Sequence, residues 1–445
     1  MPPASTGETG YGGPMPKPPS RGKRLFKLAS MTASVAGGYA KSKVKRALGS
    51  DAEEEERSFR KASGERIAST LGELKGAAMK VGQIASAAKE LFPEEVTEAL
   101  TKLQREAPPM EYEVIAEVIE SELGAPPEVL FQSFEREPFA AASIGQVHRA
   151  RTDDGREVVC KVQYPGVDHA LDSDLQQVKL ALKLGGLVKV DKRMVDATFA
   201  ELRERMHEEL DYCNEADNVR AFRRFHAAHE KVVVPDVVGE RSAKRVLTLT
   251  YEEGLPLHDL GREGVPQPLR DEVGTRLADM LTRQLYENRL IHGDPNPGNF
   301  AYRPDGSLVV YDFGCVKSFE EPTLAKLDAI LQAAFDRDYA GLDASLIAIG
   351  RMKADKSIDP ADYDRWLAAL ADPIYADTYD YGAADLGKQV KALVPWVMKR
   401  ASWWEPVPEM TILDRAVGGM YDNLREMKAR VPVRGILLNH VGVSR

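Results

Sequence analysis

The spacing of apolar residues predicts a helical first part of the chain. Apolar residues recur every three or four positions from Ile67 to Leu91, which is the period of one helix face. The acidic run SDAEEEE at residues 50–56 suits a helix start, because carboxylates interact favourably with the N-terminal end of the helix dipole. Lys80 and Gln83 lie three positions apart within this segment, so we expect them on the same helix face.

Three glycines, Gly72, Gly76 and Gly82, stand inside this predicted helix. Each costs about 1 kcal/mol relative to alanine in a helix interior. Their presence favours close packing of the helix against another element. A small-residue packing surface and a functional role for Lys80 and Gln83 both stay open on this pattern alone.

Short strands and turns follow from residue 131. We predict strands over 131–137, 144–151 and 156–163, with a turn at 153–155. The small-residue loop between the first two strands consists of Ala140, Ala141, Ala142 and Ser143. Small side chains let backbone N–H groups approach a phosphate, so the loop is a candidate phosphate-binding segment, although AAAS alone is a weak signal.

Lys161 lies in the apolar run VVCKVQ of the third predicted strand, where strand alternation puts it on the face opposite Cys160. An unpaired ammonium is costly to bury. Lys161 therefore faces solvent, a carboxylate or a ligand.

A helix predicted over about 194–220 offers carboxylates to such a lysine. Asp211 and Glu215 share a face at a spacing of four, whereas Glu209 points to a different side of an ideal helix. We expect Glu209 and Asp211 to have different roles, unless the helix bends there.

The stretch HGDPNPGNF at residues 292–300 predicts a stiff loop. Pro295 and Pro297 rule out a continuous helix or a central strand. The loop carries two polar side chains, Asp294 and Asn299, five positions apart. Loops of this kind commonly carry chemistry.

The segment 300–311 predicts a β-hairpin that returns Asp312 to a position beside this loop. Asp294 can accept a proton or orient a nucleophile, whereas Asn299 and Asp312 offer the oxygen ligands that Mg²⁺ takes. Lys161 can hold the phosphates that the metal bridges. The spacing thus predicts that a base and a metal ligand lie beside one phosphate.

Composition is that of an ordinary globular protein, with 445 residues, 43% hydrophobic and 29% charged, which is enough for two or three cores. We predict no transmembrane helix, because no segment reaches the roughly 18–20 apolar residues that a span requires. The three cysteines show no CxxC spacing. That disfavours a disulfide framework or a zinc site and suits a reducing, cytoplasmic compartment.

Charge is unevenly distributed along the chain. Residues 1–50 carry nine Lys or Arg residues and one acidic residue, whereas the whole chain has a net charge of −9. The first twenty residues are rich in Pro, Gly and Ser, which predicts disorder. Leu25, Phe26 and Leu28 then stand among cations, which favours either peripheral contact with an anionic membrane surface or a tail that folds back on the acidic body. Nucleic acid is disfavoured as a partner because that body is acidic.

The order of these features is that of the protein-kinase-like fold: a lysine strand, an acidic helix, a D-x-x-x-x-N loop, a hairpin and D-F-G at 312–314. Two departures disfavour an ordinary Ser/Thr/Tyr protein kinase. The H-G-D loop lacks the arginine of H-R-D, and no A-P-E follows D-F-G. The chain is expected to re-enter helix within about ten residues of D-F-G, which leaves little platform for a peptide substrate.

Taken together, the motifs resemble those of the UbiB/AarF atypical kinases, over roughly residues 60–435. The matching stretches are KVGQ at 80–83, AAASIGQVHRA at 140–150, CKVQYPGV at 160–167, EELDYCNEADN at 208–218, HGDPNPGN at 292–299 and DFG at 312–314. The resemblance implies ATP and Mg²⁺ as cofactors. It also implies a restrained phosphotransfer activity beside ATP hydrolysis.

The resemblance implies a role for each matching residue of the active site. Lys161 would pair with Glu215 and contact the nucleotide phosphates. Asp294 would be the catalytic-loop aspartate, and Asn299 and Asp312 would bind Mg²⁺.

The resemblance also implies a regulatory group. Lys80, Gly82 and Gln83, from the N-terminal extension, would pack over the active site near Glu209 and Asp211. A helix with this role would be a lid on the active site.

We therefore predict an α+β, two-lobed protein-kinase-like fold with a small antiparallel-sheet N-lobe, a helical C-lobe and an N-terminal helical extension packed over the active site. The expected parts are a basic, partly disordered tail (1–50), the extension with the K-x-G-Q motif (51–130), the N-lobe (131–252) and the C-lobe (253–445).

The leading function is that of a UbiB-like ATP-dependent kinase or ATPase in isoprenoid-quinone (ubiquinone) or lipid metabolism, with a small-molecule, lipid or protein phosphoacceptor. One alternative is a small-molecule phosphotransferase of the aminoglycoside or choline kinase type, because the pattern H-G-D-x-x-x-x-N resembles the loop of those enzymes. K-V-G-Q and the alanine loop speak against it. A second alternative is a nucleotide-binding switch or scaffold without turnover, against which the intact Lys161, Asp294, Asn299 and Asp312 argue.

Overall fold

The structure is a computed structural model. It describes residues 21–47, 51–74, 93–106, 109–142, 144–187, 195–196, 199–200, 203, 207, 209–384, 386–405 and 407–440. The predicted disorder of the first twenty residues lies outside this range, as do Lys80, Gly82, Gln83 and Ser143. The helix predicted over 67–91 is described only as far as Leu74.

The chain divides into two compact units. The first comprises Met1–Asn214 and Val238–Thr250, and the second comprises Glu215–Val237 and Tyr251–Arg445. This differs from the predicted lobe 131–252, which included the segment that the structure groups with the second unit. Side chains of that segment contact the D-F-G phenylalanine, as described with the site, and this packing explains the difference.

Helices make up most of the first unit before its sheet. They are α1 (Arg21–Ala47), α2 (Ala52–Leu74), α3 (Glu94–Glu106), α4 (Tyr112–Leu123), α5 (Pro127–Leu130) and, after the fourth strand, α6 (Val167–Leu184). The acidic run begins a helix as predicted, because α2 starts with three glutamates in its first turn. Asp51 Oδ1 accepts the N–H groups of Glu53 and Glu54 at 3.0 and 3.2 Å, which caps the helix.

The basic helix α1 packs on the rest of the first unit. Leu28, Met31 and Val35, at helical spacing, are almost fully buried in one core cluster with residues of α6 such as Leu175. This arrangement matches the alternative in which the basic segment folds back on the body. Of the apolar residues expected at a membrane, Phe26 is exposed but Leu28 belongs to the core.

The sheet of the first unit has the strand order β1, β3, β4, β6, and β2 also pairs with β3. The strands are β1 (Ser133–Phe134), β2 (Ala140–Ala141), β3 (Gly145–Arg151), β4 (Glu157–Gln163) and β6 (Val246–Thr250). The predictions of β3 and β4 are confirmed, and their pairing is antiparallel. Two predictions are wrong in detail: β1 is two residues long, and part of the expected alanine loop is a strand.

The helix predicted over 194–220 is interrupted at Leu210 and Asp211, and α7 runs from Tyr212 to His226. Asp211 Oδ1 accepts the backbone N–H of Cys213 at 3.0 Å, so Asp211 caps α7 from outside it. The expectation of one continuous helix through Asp211 and Glu215 is therefore wrong. Aspartate is a preferred capping residue, which is the physical reason for the break.

The described part of the second unit consists of helices and three small sheets. Its helices are α8 (Gln267–Arg283), α9 (Glu321–Asp336), α10 (Tyr339–Ala348), α11 (Pro360–Leu370), α12 (Asp372–Tyr375), α13 (Leu386–Lys399), α14 (Pro408–Met427) and α15 (Val433–His440). Its strands are β5 (Val232–Val233), β7 (Leu255–Pro256), β8 (Leu290–His292), β9 (Phe300–Tyr302), β10 (Leu308–Val310), β11 (Val316–Ser318), β12 (Tyr379–Asp380) and β13 (Arg430–Val431). The sheets pair as β5-β10-β9-β7, β11-β8 and β12-β13.

The predictions of a hairpin and of an early return to helix are confirmed for this unit. Strands β9 and β10 form the antiparallel hairpin, and α9 begins at Glu321, soon after D-F-G. Trp403 and Trp404 pack in a core cluster, where the Trp404 ring stacks on Trp366 at 5.3 Å. Within the residues that the structure describes, no helix has the length and apolar character needed to cross a bilayer.

Gly145 at the start of β3 is predicted to be required for the β3–β4 pairing. A Cβ atom built on it would lie 2.1 Å from the backbone oxygen of Val162, which cannot move without breaking the ladder. We expect Gly145→Ala to lower the free energy of unfolding by about 1–3 kcal/mol or more, measured by urea unfolding. Gly37→Ala in α1 is the control, because no atom lies within 4 Å of its Cβ position. Equal stability of the two variants would contradict the steric argument.

Candidate active site

The loop after β8 brings Asp294 and Asn299 together. The side-chain nitrogen of Asn299 donates to Asp294 Oδ2 at 2.9 Å and to the Asp294 backbone oxygen at 3.3 Å. Asn296 Oδ1 accepts the N–H of Gly298 at 3.0 Å, which closes the turn between the two residues. The spacing of five thus produces a direct contact. Both side chains are partly exposed, so a ligand has access to them.

The hairpin delivers Asp312 beside this loop. The N–H of Tyr311, at the end of β10, donates to the backbone oxygen of Asn299 at 3.0 Å. Asp312 follows directly, is partly exposed, and accepts the N–H of Gly314 on Oδ1 at 2.9 Å. The second unit therefore holds Asp294, Asn299 and Asp312 on adjoining backbone segments.

A buried histidine that the sequence analysis did not single out joins the loop to D-F-G. His292 Nε2 donates to the backbone oxygen of Asp312, and the His292 ring contacts the Phe313 ring at 5.5 Å between centroids. Burial lowers the pKa of His292 from its ordinary value, so the ring is neutral near pH 7. The sequence offered one indication of this role, which is that His292 stands directly before Gly293 and Asp294.

Two further buried side chains extend this connection. The backbone N–H of His292 donates to Gln284 Oε1 at 3.0 Å, and Gln284 Nε2 donates to His226 Nε2 at 3.2 Å. His226 and Gln284 are almost fully buried. Burial, together with the neighbouring His229 and Arg283, lowers the pKa of His226 to about 3. A neutral His226 can accept the hydrogen bond from Gln284, and a protonated one cannot.

The D-F-G phenylalanine belongs to the core of the second unit. Phe313 is fully buried and contacts the ring of Phe222 on α7 at 5.1 Å between centroids. Its backbone oxygen accepts the side-chain N–H of Asn218 at 3.0 Å. The later part of α7 therefore supports D-F-G.

In the first unit, Lys161 and Cys160 lie on opposite faces of β4, as predicted. Cys160 is fully buried, and this burial raises the pKa of its thiol to about 12. Lys161 is half-buried, and its Nζ lies 5.1 Å from the ring centroid of Tyr212, a cation–π distance. The face that carries Lys161 is thus suited to a charged group.

The predicted regulatory carboxylates of the first unit lie at the approach to α7. The backbone oxygen of Glu209 accepts the side-chain N–H of Gln163 at 3.1 Å, which ties Glu209 to the end of β4. Asp211 caps α7, and Glu215 is buried in the first turn of that helix. Glu209 and Asp211 therefore occupy different structural positions, because the helix is interrupted, and the different roles expected of them stay a prediction.

The alanine segment is more constrained than a free loop. Ala140 and Ala141 pair with Val147 and Gln146 of β3, and the N–H of Ala142 donates to the backbone oxygen of Gly145 at 3.0 Å. The Ala142 N–H is thus engaged within the hairpin. A phosphate-binding role for this segment would have to use other N–H groups.

The donor set at Asn299 and Asp312 fits Mg²⁺ in its chemistry. The Asn299 nitrogen faces Asp294, which leaves the amide oxygen as the group that a cation would bind. One carboxylate and one amide oxygen are typical of a Mg²⁺ site completed by phosphate oxygens and water. Among the described residues, no group of three or more His, Cys, Asp or Glu side chains has the arrangement of a metal site.

The fold and the site define a protein-kinase-like protein, with a lysine on the sheet of one unit and a D-x-x-x-x-N loop, hairpin and D-F-G in the other. The family model of the ABC1 atypical kinase-like domain matches residues 102–346, more than half of the chain. The chain belongs to this family of atypical kinases, and the predicted membership of the UbiB/AarF group is confirmed.

Curated relatives are similar over most of this chain. It is 27% identical over 453 residues to the probable serine/threonine-protein kinase abkA of Dictyostelium discoideum, covering 95% of this chain and 79% of that protein. It is 30% identical over 386 residues to the mitochondrial atypical kinase COQ8B of Danio rerio, covering 85% and 61%. The chain thus spans between about half and four-fifths of the length of the relatives it matches.

A solved structure has the same fold. The chain is similar to Rv3197 of Mycobacterium tuberculosis, a protein described in complex with erythromycin, with a TM-score of 0.61 and 30% identity over 88% of this chain and 98% of that one. The prediction of a two-lobed kinase-like α+β fold is confirmed by this likeness and the family match.

His226 is predicted to make stability depend on pH just below neutrality. An unfolded histidine with a pKa of about 6.5 binds a proton below that pH, whereas folded His226 stays neutral down to about pH 3, so stability falls as pH decreases. We expect His226→Leu to lower Tm overall but to flatten its decrease between pH 7 and pH 5. Asp and Glu titrate mostly below this window.

His258→Gln, at an exposed position, is the control for the loss of a histidine. A His226→Leu slope equal to that of the wild-type protein would refute the assignment of a neutral, buried His226.

Proposed function

We propose that this chain is a Mg-ATP-dependent atypical kinase or ATPase. The observation that carries the proposal is the hydrogen bond from the Asn299 amide to Asp294, in a loop that also bonds the segment leading to Asp312. This arrangement supports a base and two metal ligands beside one phosphate. Membership of an atypical kinase family supports the same class of reaction.

Each site residue of the second unit would have a separate role in the reaction. Asp294 would orient the attacking hydroxyl or water and accept its proton, because Asn299 holds one of its oxygens and leaves the other for a substrate. Asn299 and Asp312 would hold Mg²⁺, which when bound neutralises phosphate charge. His292, neutral and bonded to the Asp312 backbone, would keep that carboxylate in place.

Lys161, in the first unit, would hold the nucleotide phosphates, and Glu215 would pair with it, as the resemblance to the family implies. The segment 140–143 would approach the phosphates through N–H groups other than that of Ala142, which is bonded to Gly145. Lys80, Gly82, Gln83, Glu209 and Asp211 would regulate the reaction.

The pathway that we propose is isoprenoid-quinone (ubiquinone) or lipid metabolism, with a small-molecule, lipid or protein phosphoacceptor. The basis is the family and its relatives named as atypical kinases. A cytoplasmic location with peripheral contact to anionic lipid through the basic N-terminal segment belongs to the same proposal. Profiling quinones and lipids in a deletion strain tests it, and unchanged profiles would remove the pathway assignment.

The two alternatives predict different ATPase results. A switch without turnover would bind Mg-ATP but release less than one phosphate per protein molecule, which a multiple-turnover assay with ATP in excess measures. An aminoglycoside or choline kinase type of enzyme would transfer phosphate to amino sugars or amino alcohols. ATP hydrolysis that persists without such substrates would favour the proposed enzyme.

Asp312 is predicted to be required for Mg-ATP binding. Asn in its place is a neutral and poorer metal ligand of the same shape, so Asp312→Asn should abolish the rise in Tm that Mg-ATP produces in the wild-type protein. The Tm without ligand should stay within a few degrees. Asp377→Asn, at an exposed position, is the matched control. An undiminished rise in Tm with Mg-ATP in Asp312→Asn would contradict the assignment of Asp312 as a metal ligand.

The K-x-G-Q residues are predicted to set the balance between ATP hydrolysis and phosphotransfer. We expect Lys80→His and Gln83→Ala to change the ratio of phosphate release to autophosphorylation, with little change in the free energy of unfolding. Glu209→Lys should perturb the same ratio as Lys80→His, because the two residues would act on one another.

Lys61→His on α2 is the control for a lysine at an exposed helical position. The lid hypothesis fails if Lys80 variants unfold the protein while nucleotide affinity and phosphotransfer per folded molecule stay at the wild-type values.

A further inference from the structure

Helix α14 presents three residues at a spacing of four to the loop that carries Asp294. They are Arg415, Gly419 and Asn423, which lie along one face of the helix. We call them the α14 cradle. Helix and loop both belong to the second unit, and each member of the cradle contacts or closely approaches the backbone next to Asp294.

Arg415 bonds the residue before Asp294. Its Nε and Nη2 donate to the backbone oxygen of Gly293 at 3.0 and 2.6 Å, and Nη2 also donates to Cys315 Sγ at 2.9 Å. The N–H of Gly293 donates to the backbone oxygen of Cys315 at 2.8 Å. Arg415 therefore joins the residue before Asp294 to the residue after D-F-G.

Gly419 and Asn423 approach the residue after Asp294. The side-chain nitrogen of Asn423, which is buried, donates to the backbone oxygen of Pro295 at 2.9 Å. A Cβ atom at Gly419 would lie 2.1 Å from Pro295 Cγ, so the helix backbone and the proline ring are in closest contact there. The carbonyl groups on both sides of Asp294 are thus bonded to one helix.

The same packing explains why the loop reads H-G-D. A Cβ atom at Gly293 would lie 2.9 Å from Ile412 Cγ2 on α14 and 3.2 Å from Cys315 Sγ. A side chain at position 293, such as the arginine of H-R-D, would require Ile412 or Cys315 to shift. Instead, α14 supplies a guanidinium group to this backbone from Arg415.

We propose that the α14 cradle positions Asp294 for catalysis, with Arg415 and Asn423 as positioning residues and Gly419 as the glycine that allows the close approach. The inference rests on the proposed function, which supplies the reaction. Fixing the peptide groups at 293 and 295 fixes the backbone orientation of Asp294 between them. A displacement of about 1 Å at such a residue costs on the order of 100-fold in rate.

Two adjacent glycines of α14 give a matched test. Both Gly418→Ala and Gly419→Ala raise helix propensity, but only at Gly419 does the new Cβ meet the loop, because no atom lies within 4 Å of the Gly418 Cβ position. We expect Gly418→Ala to keep the wild-type kcat for ATP hydrolysis. Gly419→Ala should lower kcat by about 10- to 100-fold while the Mg-ATP thermal shift persists. Equal kcat values for the two variants would overturn the proposal.

Arg415 variants keep the test independent of the folding of Gly419→Ala. Arg415→Ala should lower kcat by about 10- to 100-fold with KM for ATP changed less than threefold, since Asn299 and Asp312 are not contacted. Arg415→Lys, which retains one donor, should recover part of the loss. A merely structural Arg415 would lower Tm in both variants and leave kcat per folded molecule at the wild-type value, which would refute the positioning role.

Hydrogen–deuterium exchange separates failure of this inference from failure of the proposed function. If the wild-type protein neither binds nor hydrolyses ATP, the proposed function is wrong. Faster exchange of backbone amides at 293–299 in Gly419→Ala than in Gly418→Ala would still support the cradle in the nucleotide-free protein. Identical exchange in the two variants would reject it.

Discussion

The hydrogen bond between the Asn299 amide and the Asp294 carboxylate is the constraint on which the rest of the site depends. It spans a turn that two prolines stiffen, so the loop has few other conformations in which these side chains meet. The bond also orients the Asn299 oxygen away from Asp294. The hairpin that brings Asp312 back is bonded to Asn299 itself, so its position depends on the same turn.

Next to this loop, the second unit contains a series of buried polar side chains. His292, Gln284 and His226 are almost fully buried and bonded in series. Buried polar groups contribute to stability only when every donor and acceptor is matched, but they specify one arrangement. Here the specified arrangement is that of the loop relative to D-F-G. The neutral state of His226 and His292 is part of that specification.

The parts of the fold and of the site that the sequence predicted are those that neighbouring residues determine. The hairpin, the stiff loop, the return to helix after D-F-G and the opposite faces of Cys160 and Lys161 follow from turn chemistry and strand alternation. The interruption at Asp211 was foreseen only as a bend that could occur there, because helical periodicity continues through a residue that acts as a cap. Arg415 and Asn423 were missed because periodicity gives the buried face of a helix but not its distant partner.

The bonds from α14 to the loop have a consequence for biosynthesis. Arg415 lies 122 positions after Gly293, and Asn423 lies 128 positions after Pro295. Contacts of such long sequence separation form late, since the entropy of closing a large loop must first be overcome. During translation, the segment around Asp294 emerges from the ribosome well before the helix that holds it. In the nascent chain, the loop that carries Asp294 would therefore lack this support until α14 has been synthesised.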